Sequence, residues 1–242
     1  MIKLEADMHT HTVASTHAYS TITENCTFAA TTGIKALGMT DHVGTMPDSP
    51  HCWHFHNYKI LPHKINGVYV VHGAEANIVD YNGTLDLDKD SYRFVEWIIA
   101  SYHKYTLKPA NSLEHTRGYL KLAENENVDM IGHPTTANFE YDMEKCVKKF
   151  KEYDKLIEIN ESSIMWKRGS RENALELMRL CKKYDAMICI NTDAHFHELI
   201  GKTPIALQMA ESIDFPEKLI ANSHWETIRD RILKKHPDIS FD

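Results

Sequence analysis

Two histidines stand two residues apart near the start of the chain, in Ala6-Asp7-Met8-His9-Thr10-His11, and His17 follows six residues on. In a strand, side chains two apart point to the same side. A strand over Leu4–Met8 therefore projects His9 and His11 together from its C-terminal end, as two ligands of one metal ion should. Similar groups recur downstream: Thr40-Asp41-His42, Glu75 in Ala74-Glu75-Ala76-Asn77, Tyr102-His103, His133-Pro134 and Thr192-Asp193-Ala194-His195. Nearly every one follows a short apolar run. The chain holds 16 histidines and nothing that reads as a purification tag, so the surplus asks for a chemical explanation.

The apolar runs alternate with amphipathic stretches. Strands are predicted at Leu4–Met8, Lys35–Met39, Gly67–Gly73, Trp97–Ser101, Val128–Gly132, Leu156–Asn160 and Ala186–Asn191. Between them, Thr21 and Glu24 form a capping box that opens a helix stopped by Gly33. Ser112–Asn125 reads as a helix. So do the two runs marked by Met143, Cys146, Val147, Phe150 and Tyr153, and by Ala174, Leu177, Met178, Cys181 and Tyr184. Two more are expected near Pro204–Ile213 and Trp225–Lys234, the last opened by a box from Ser223 to Glu226. Val43 to Asn66 is long and rich in His, Pro, Asp and Asn, as lids and binding loops are.

Regular alternation of this kind implies a parallel sheet with crossover helices. No linker or fixed-period repeat divides the chain, so residues 1–242 are expected to form one α/β domain, a barrel of about seven strands. An open sheet is the alternative. In a barrel the C-terminal strand ends meet at one face, where active sites sit. His9/His11, His42, Glu75, His103, His133 and Asp193/His195 would then converge. With His17, this gives seven histidines and two carboxylates. One catalytic ion takes three protein ligands and a water, so the set points to two or three ions with a bridging carboxylate. Imidazole-rich ligation favours Zn, with Mn or Fe as rivals.

Composition bounds the rest. Hydrophobic content of 43% and charged content of 25% are ordinary for a globular protein. The net charge is −7 and no Lys/Arg run exceeds two residues, which argues against a nucleic-acid partner. No apolar run is long enough to span a membrane. The start of the chain lacks the apolar core of a signal peptide. The five cysteines are odd in number and lack metal-ligand spacing, so free thiols in a reducing cytoplasm are expected. A homo-oligomer is left open.

The ordered motifs Asp7-Met8-His9-Thr10-His11, Thr40-Asp41-His42, Glu75, His103, His133-Pro134 and Asp193-Ala194-His195 resemble those of the polymerase and histidinol phosphatase (PHP) superfamily. The resemblance spans nearly the whole chain. Thr12-Val13-Ala14-Ser15-Thr16-His17-Ala18-Tyr19-Ser20 and His51-Cys52-Trp53-His54-Phe55 are more similar still to its YcdX-type phosphatases. The resemblance implies a distorted (β/α)7 TIM-like barrel with a trinuclear metal centre. Position by position, it places His9, His11, Glu75 and Asp193 on one ion. It places Glu75, His103 and His133 on a second, and His17, His42 and His195 on a third.

The activity so implied is hydrolysis of a small phosphomonoester by a metal-bridged hydroxide. Glu75 and Asp193 are then catalytic as well as ligating, and Arg168 could bind a phosphate oxygen. Three rivals remain. A metal-dependent nuclease would need a basic track. An amidohydrolase would need a bridging lysine where Glu75 stands. A non-catalytic metal-binding scaffold would have no use for nine ligands. Among the other histidines, His72 is expected to pack in the core, and His51, His54 and His56 to sit in the lid. His115, His224 and His236 read as surface residues. Asp7 and Asp41 are candidates to orient neighbouring imidazoles.

Overall fold

The computed structural model describes residues 2–166 and 170–241. Among the described residues, eight strands run in chain order: β1 (Ala6–Thr10), β2 (Ala36–Met39), β3 (Lys64–Ile65), β4 (Val68–Asn77), β5 (Trp97–Ser101), β6 (Met130–Ile131), β7 (Leu156–Asn160) and β8 (Ile188–Asn191). The helices are α1 (Ile22–Thr32), α2 (Trp53–His56), α3 (Ser112–Ala123), α4 (Met143–Glu152), α5 (Glu161–Trp166), α6 (Ser170–Tyr184), α7 (Pro204–Ser212) and α8 (Trp225–Lys235). The seven predicted strands are present, with ends moved by a few residues. β3 is the addition, a short antiparallel partner of β4.

The other seven strands are parallel in the order β1-β2-β4-β5-β6-β7-β8. This is a nearly closed barrel. β1 and β8 meet at a bridge between Thr10 and Ala194 rather than along a ladder. Side chains reinforce the seam. The Met8 backbone N–H donates to Asn191 Oδ1 at 2.9 Å, and Thr192 Oγ1 donates to Asp7 Oδ2 at 2.5 Å. Asp7 therefore ties β8 to β1 and does not orient an imidazole.

β1, β2, β5, β7 and β8 are buried along their whole length, as strands covered on both faces must be. One cluster of apolar side chains, including Met8, Val71, Trp97, Ile99, Met130 and Leu156, is capped by Trp225, Ile228 and Ile232 of α8. A larger one packs strands against helices, with Val147 and Phe150 from α4 and Leu177 and Met178 from α6. His72 is buried as expected, with Nδ1 3.2 Å from Glu96 Oε1. His115 is not a surface residue. It is buried on α3, with Nδ1 2.7 Å from the Glu140 carbonyl and Nε2 accepting from the Ala110 N–H.

The box at Thr21 forms: its hydroxyl accepts from the Glu24 N–H, and its own N–H donates to Glu24. Gly33 ends α1 at φ 86°. The box at Ser223 does not form, because its hydroxyl donates to the Ile220 carbonyl. Glu5 does the capping instead, accepting from the Trp225 N–H at 2.9 Å.

β1 carries an irregularity that simple alternation does not predict. Asp7 pairs with Leu37 and Thr10 with Met39, so Met8 and His9 together face Gly38. Such a bulge re-aims side chains next to a site. It also brings the backbones close. A Cβ on Gly38 would lie 2.5 Å from the Met8 carbonyl oxygen. Gly38→Ala must push β1 away, and the cost of such overpacking is about 3 kcal/mol. Urea unfolding should show that loss, whereas a variant within 0.5 kcal/mol of wild type (roughly the scatter of a neutral surface change) would contradict the close approach.

Candidate metal centre

The predicted residues stand at the C-terminal rim of the barrel. His9 lies in β1 and His11 just beyond it. His42 follows β2 and is bridged to Glu75 of β4. His103, His133 and Asp193 follow β5, β6 and β8, with His17 and His195 in the loops above. His133 and Asp193 have positive φ of 25° and 56°, so the chain turns sharply where each leaves its strand.

The donor atoms converge. His9 Nε2 is 3.4 Å from Glu75 Oε2 and 3.4 Å from Asp193 Oδ1. His11 Nε2 is 3.1 Å from Asp193 Oδ1. His133 Nε2 and His103 Nε2 lie 2.8 and 3.4 Å from Glu75 Oε1, and His42 Nδ1 lies 2.9 Å from Glu75 Oε2. The rings of His17 and His195 are 4.2 Å apart, and His195 stacks on His11 at 4.2 Å. All nine predicted residues are thus brought to one place. Glu75 is at its middle, facing three strand-end histidines and His9.

A cluster like this fits cations. Glu75 Oε2, His9 Nε2, His11 Nε2, His42 Nδ1 and His195 Nε2 are buried with no hydrogen-bond partner among the described residues. Buried polar atoms are rarely left so, and here they face one another. The opposite nitrogens are held. His9 Nδ1 meets Glu158 Oε1 at 2.7 Å, His103 Nδ1 meets Asn77 Oδ1 at 2.7 Å, and His17 Nδ1 meets Asp48 Oδ2 at 2.6 Å. His11 Nδ1 faces Ser15 Oγ at 3.2 Å, and His195 Nδ1 the Asp193 carbonyl at 2.9 Å. Metal-ligating histidines are oriented in this way.

Overlapping sets of three donors come within 4.8 Å of one another: His9, His11 and Asp193; His11, His42 and His195; His42, Glu75 and His103; His17, His42 and Asp48. His42 is therefore shared between the Glu75 side and the His17/His195 side. The resemblance assigns it to the latter alone.

Charge follows the same geometry. Burial disfavours a charged His9, but Glu158, Asp193 and Glu75 outweigh it and raise its pKa well above the ordinary value. Burial, with His195 and His42 beside it, lowers His11 to about 3. Burial opposes ionisation of Glu75 and Asp193 too. The surrounding imidazoles prevail, and both carboxyls fall well below their usual range.

Three supporting residues were not singled out from sequence: Glu158, Asp48 and Asn77. Asp41 does orient an imidazole, at one remove. It accepts from Ser15 Oγ at 2.8 Å and from the Thr12 N–H at 2.8 Å, and Ser15 faces His11. Burial works against its charge, but the His54 imidazole nearby, His11 and the hydrogen bonds from Thr12 outweigh it and lower its pKa to about 2. Of the expected lid histidines, His54 approaches Asp41 at 3.5 Å, while His56 turns away to Asp88. Arg168 lies outside the described residues.

A cleft of about 480 Å³ opens above the cluster. Tyr102, Tyr105, Phe139, Trp166 and Leu199 line it, and Lys104 is its one Lys or Arg among the described residues. No helix among the described residues is long and apolar enough to cross a membrane. All five cysteines are free.

Comparison with known proteins extends the picture. The PHP domain family profile matches residues 7–164. A protein of Clostridium novyi described as a probable phosphatase is 44% identical over 92% of this chain and 91% of its own. Another so described, from Caldicellulosiruptor saccharolyticus, is 40% identical over 92% and 93%. Among solved structures, a histidinol phosphate phosphatase from Lactococcus lactis, complexed with zinc, L-histidinol and phosphate, superposes with a TM-score of 0.61. It is 16% identical and the match covers 86% of this chain and 92% of that one, a likeness of fold. A chain of an archaeal ribonuclease P, solved with mature tRNA, gives 0.56 at 17% identity, covering 97% and 93%.

Proposed function

Because the chain belongs to the PHP family, we propose that it is a metal-dependent phosphatase that hydrolyses a small phosphomonoester. The observation that carries this reading is the set of buried, partnerless nitrogens of His9, His11, His42 and His195 that face one another and the Glu75 Oε2 beneath a small cleft. His9, His11, Glu75 and Asp193 would hold one ion, Glu75, His103 and His133 a second, and His17, His42 and His195 a third. Bound there, divalent ions (zinc first, manganese or iron next) would supply an activated water and charge to neutralise the phosphate.

The chain's own residues do the rest. Glu75 presents both oxygens, one to each side of the cluster, and so fixes the spacing across it. Glu158, Asn77 and Asp48 lock the tautomers of His9, His103 and His17. Lys104 stands at the cleft mouth, where it can pair with a phosphate oxygen, a role that sequence gives to Arg168. Tyr102 and Phe139 give the cleft a buried aromatic wall against which the rest of the ester can pack. A cleft of this size suits a small ligand, and the described wall offers no basic track for a nucleic-acid backbone.

The test is metal content measured together with hydrolysis of monoesters and diesters. Zinc-, manganese- or iron-loaded protein should cleave monoesters, and chelation should abolish the activity until metal is returned. Acidification should act like a chelator, because protons compete for the His9 nitrogen that would hold an ion. A metal-loaded protein inactive on every monoester, or active without metal, would overturn the proposal.

A further inference from the structure

A second set of ligand-type side chains lies outside this centre. Cys52, the helical N-cap of α2, and His56, its last residue, are four apart and so lie on one side of that turn. Asp88 reaches them from the loop before β5. The donor atoms of the three lie within 4.8 Å of one another, and His56 Nε2 is 2.9 Å from Asp88 Oδ2. Asp88 is itself oriented, since Oδ2 accepts from the Ser91 N–H and hydroxyl at 3.2 and 3.3 Å. The His56 bond holds its carboxyl below the ordinary range. A cavity of about 270 Å³ adjoins, lined by His51, Cys52, Asp86 and Asp88. Cys52 is the one half-exposed cysteine, the other four being buried.

We propose that Cys52, His56 and Asp88 form a separate site for one thiophilic divalent cation of the zinc class, which clamps α2 to the loop before β5. Thiolate, imidazole and carboxylate are the three donor types zinc takes, and the cavity leaves room for water as a fourth ligand. On binding, the Cys52 thiol releases its proton to solvent and ligates as thiolate.

The clamp would join two segments that each support the main centre. His54, on the same short helix, approaches Asp41, which holds the Ser15 that faces His11. Asp86, two residues before Asp88, accepts from the Asn77 amide at 2.8 Å, and Asn77 holds His103. This cation is structural, and its site stands whether or not the main centre is a phosphatase.

Cobalt substitution distinguishes the two sites, because none of the nine residues of the main centre carries sulfur. Co²⁺-loaded protein should show a thiolate-to-cobalt charge-transfer band in the near ultraviolet. Cys52→Ser should abolish the band and lower bound metal by one equivalent, with the far-ultraviolet circular dichroism unchanged. His56→Ala should weaken that equivalent selectively. Absence of the band in fully loaded wild type, or a band that survives Cys52→Ser, would overturn the proposal.

Discussion

Glu75→Gln is expected to lower kcat on a phosphomonoester by on the order of a thousandfold, the equivalent of about 4 kcal/mol of barrier. Its two oxygens serve different partners. Oε1 faces His103 and His133, while Oε2 faces His9 and His42. An amide keeps the shape but loses the charge, and one of its ends carries N–H donors that cannot ligate a cation. Metal analysis of the purified variant should show reduced occupancy in step with the lost turnover. Near-wild-type kcat with full metal content would remove Glu75 from the centre of the mechanism.

Glu158→Gln is expected to weaken metal binding by about 10- to 100-fold without touching a ligand. The carboxylate sits at 0% exposure and takes four donors. Oε1 meets His9 Nδ1 at 2.7 Å and the Asn191 amide at 3.0 Å. Oε2 meets the His133 N–H at 2.6 Å and the Asn160 amide at 3.1 Å. A carboxylate has lone pairs for all four, whereas glutamine must aim its own NH₂ at two of them. His9 then loses its fixed tautomer, or His133 loses its backbone anchor. Competition against a chelator of known affinity measures the loss. An unchanged affinity would mean that Glu158 serves folding alone.

That Glu158 escaped the sequence reading is instructive. In Leu156-Ile157-Glu158-Ile159-Asn160 it looks like one polar residue in a buried strand, short of the strand end where the ligands of the other strands stand. A carboxylate inside so apolar a run was itself a signal, since such a group is buried only when paired. His115 is a similar case. It shares a helical face with Tyr119 and Leu122, all three of them buried, so its burial was legible from spacing. The ligands themselves were legible because a parallel barrel converts many separate strand ends into one place. The bulge at His9 was not, because register belongs to two strands and neither sequence alone records it. Nor was Asp48, since the composition of residues 43–66 foretells turns but not which imidazole an aspartate will meet.

The seam between β1 and β8 has a consequence for biosynthesis. The bonds from Met8 to Asn191 and from Thr192 to Asp7 span 183 and 185 residues. Contacts so distant form late. A ribosome-tethered fragment ending before β8 would hold His9 and His11 but neither Asp193 nor their backbone anchor. The cup of imidazoles and carboxylates therefore takes shape only after β8 and the loop behind it have been made. Until then the imidazoles are open to any stray ion, and an exposed strand edge is open to aggregation.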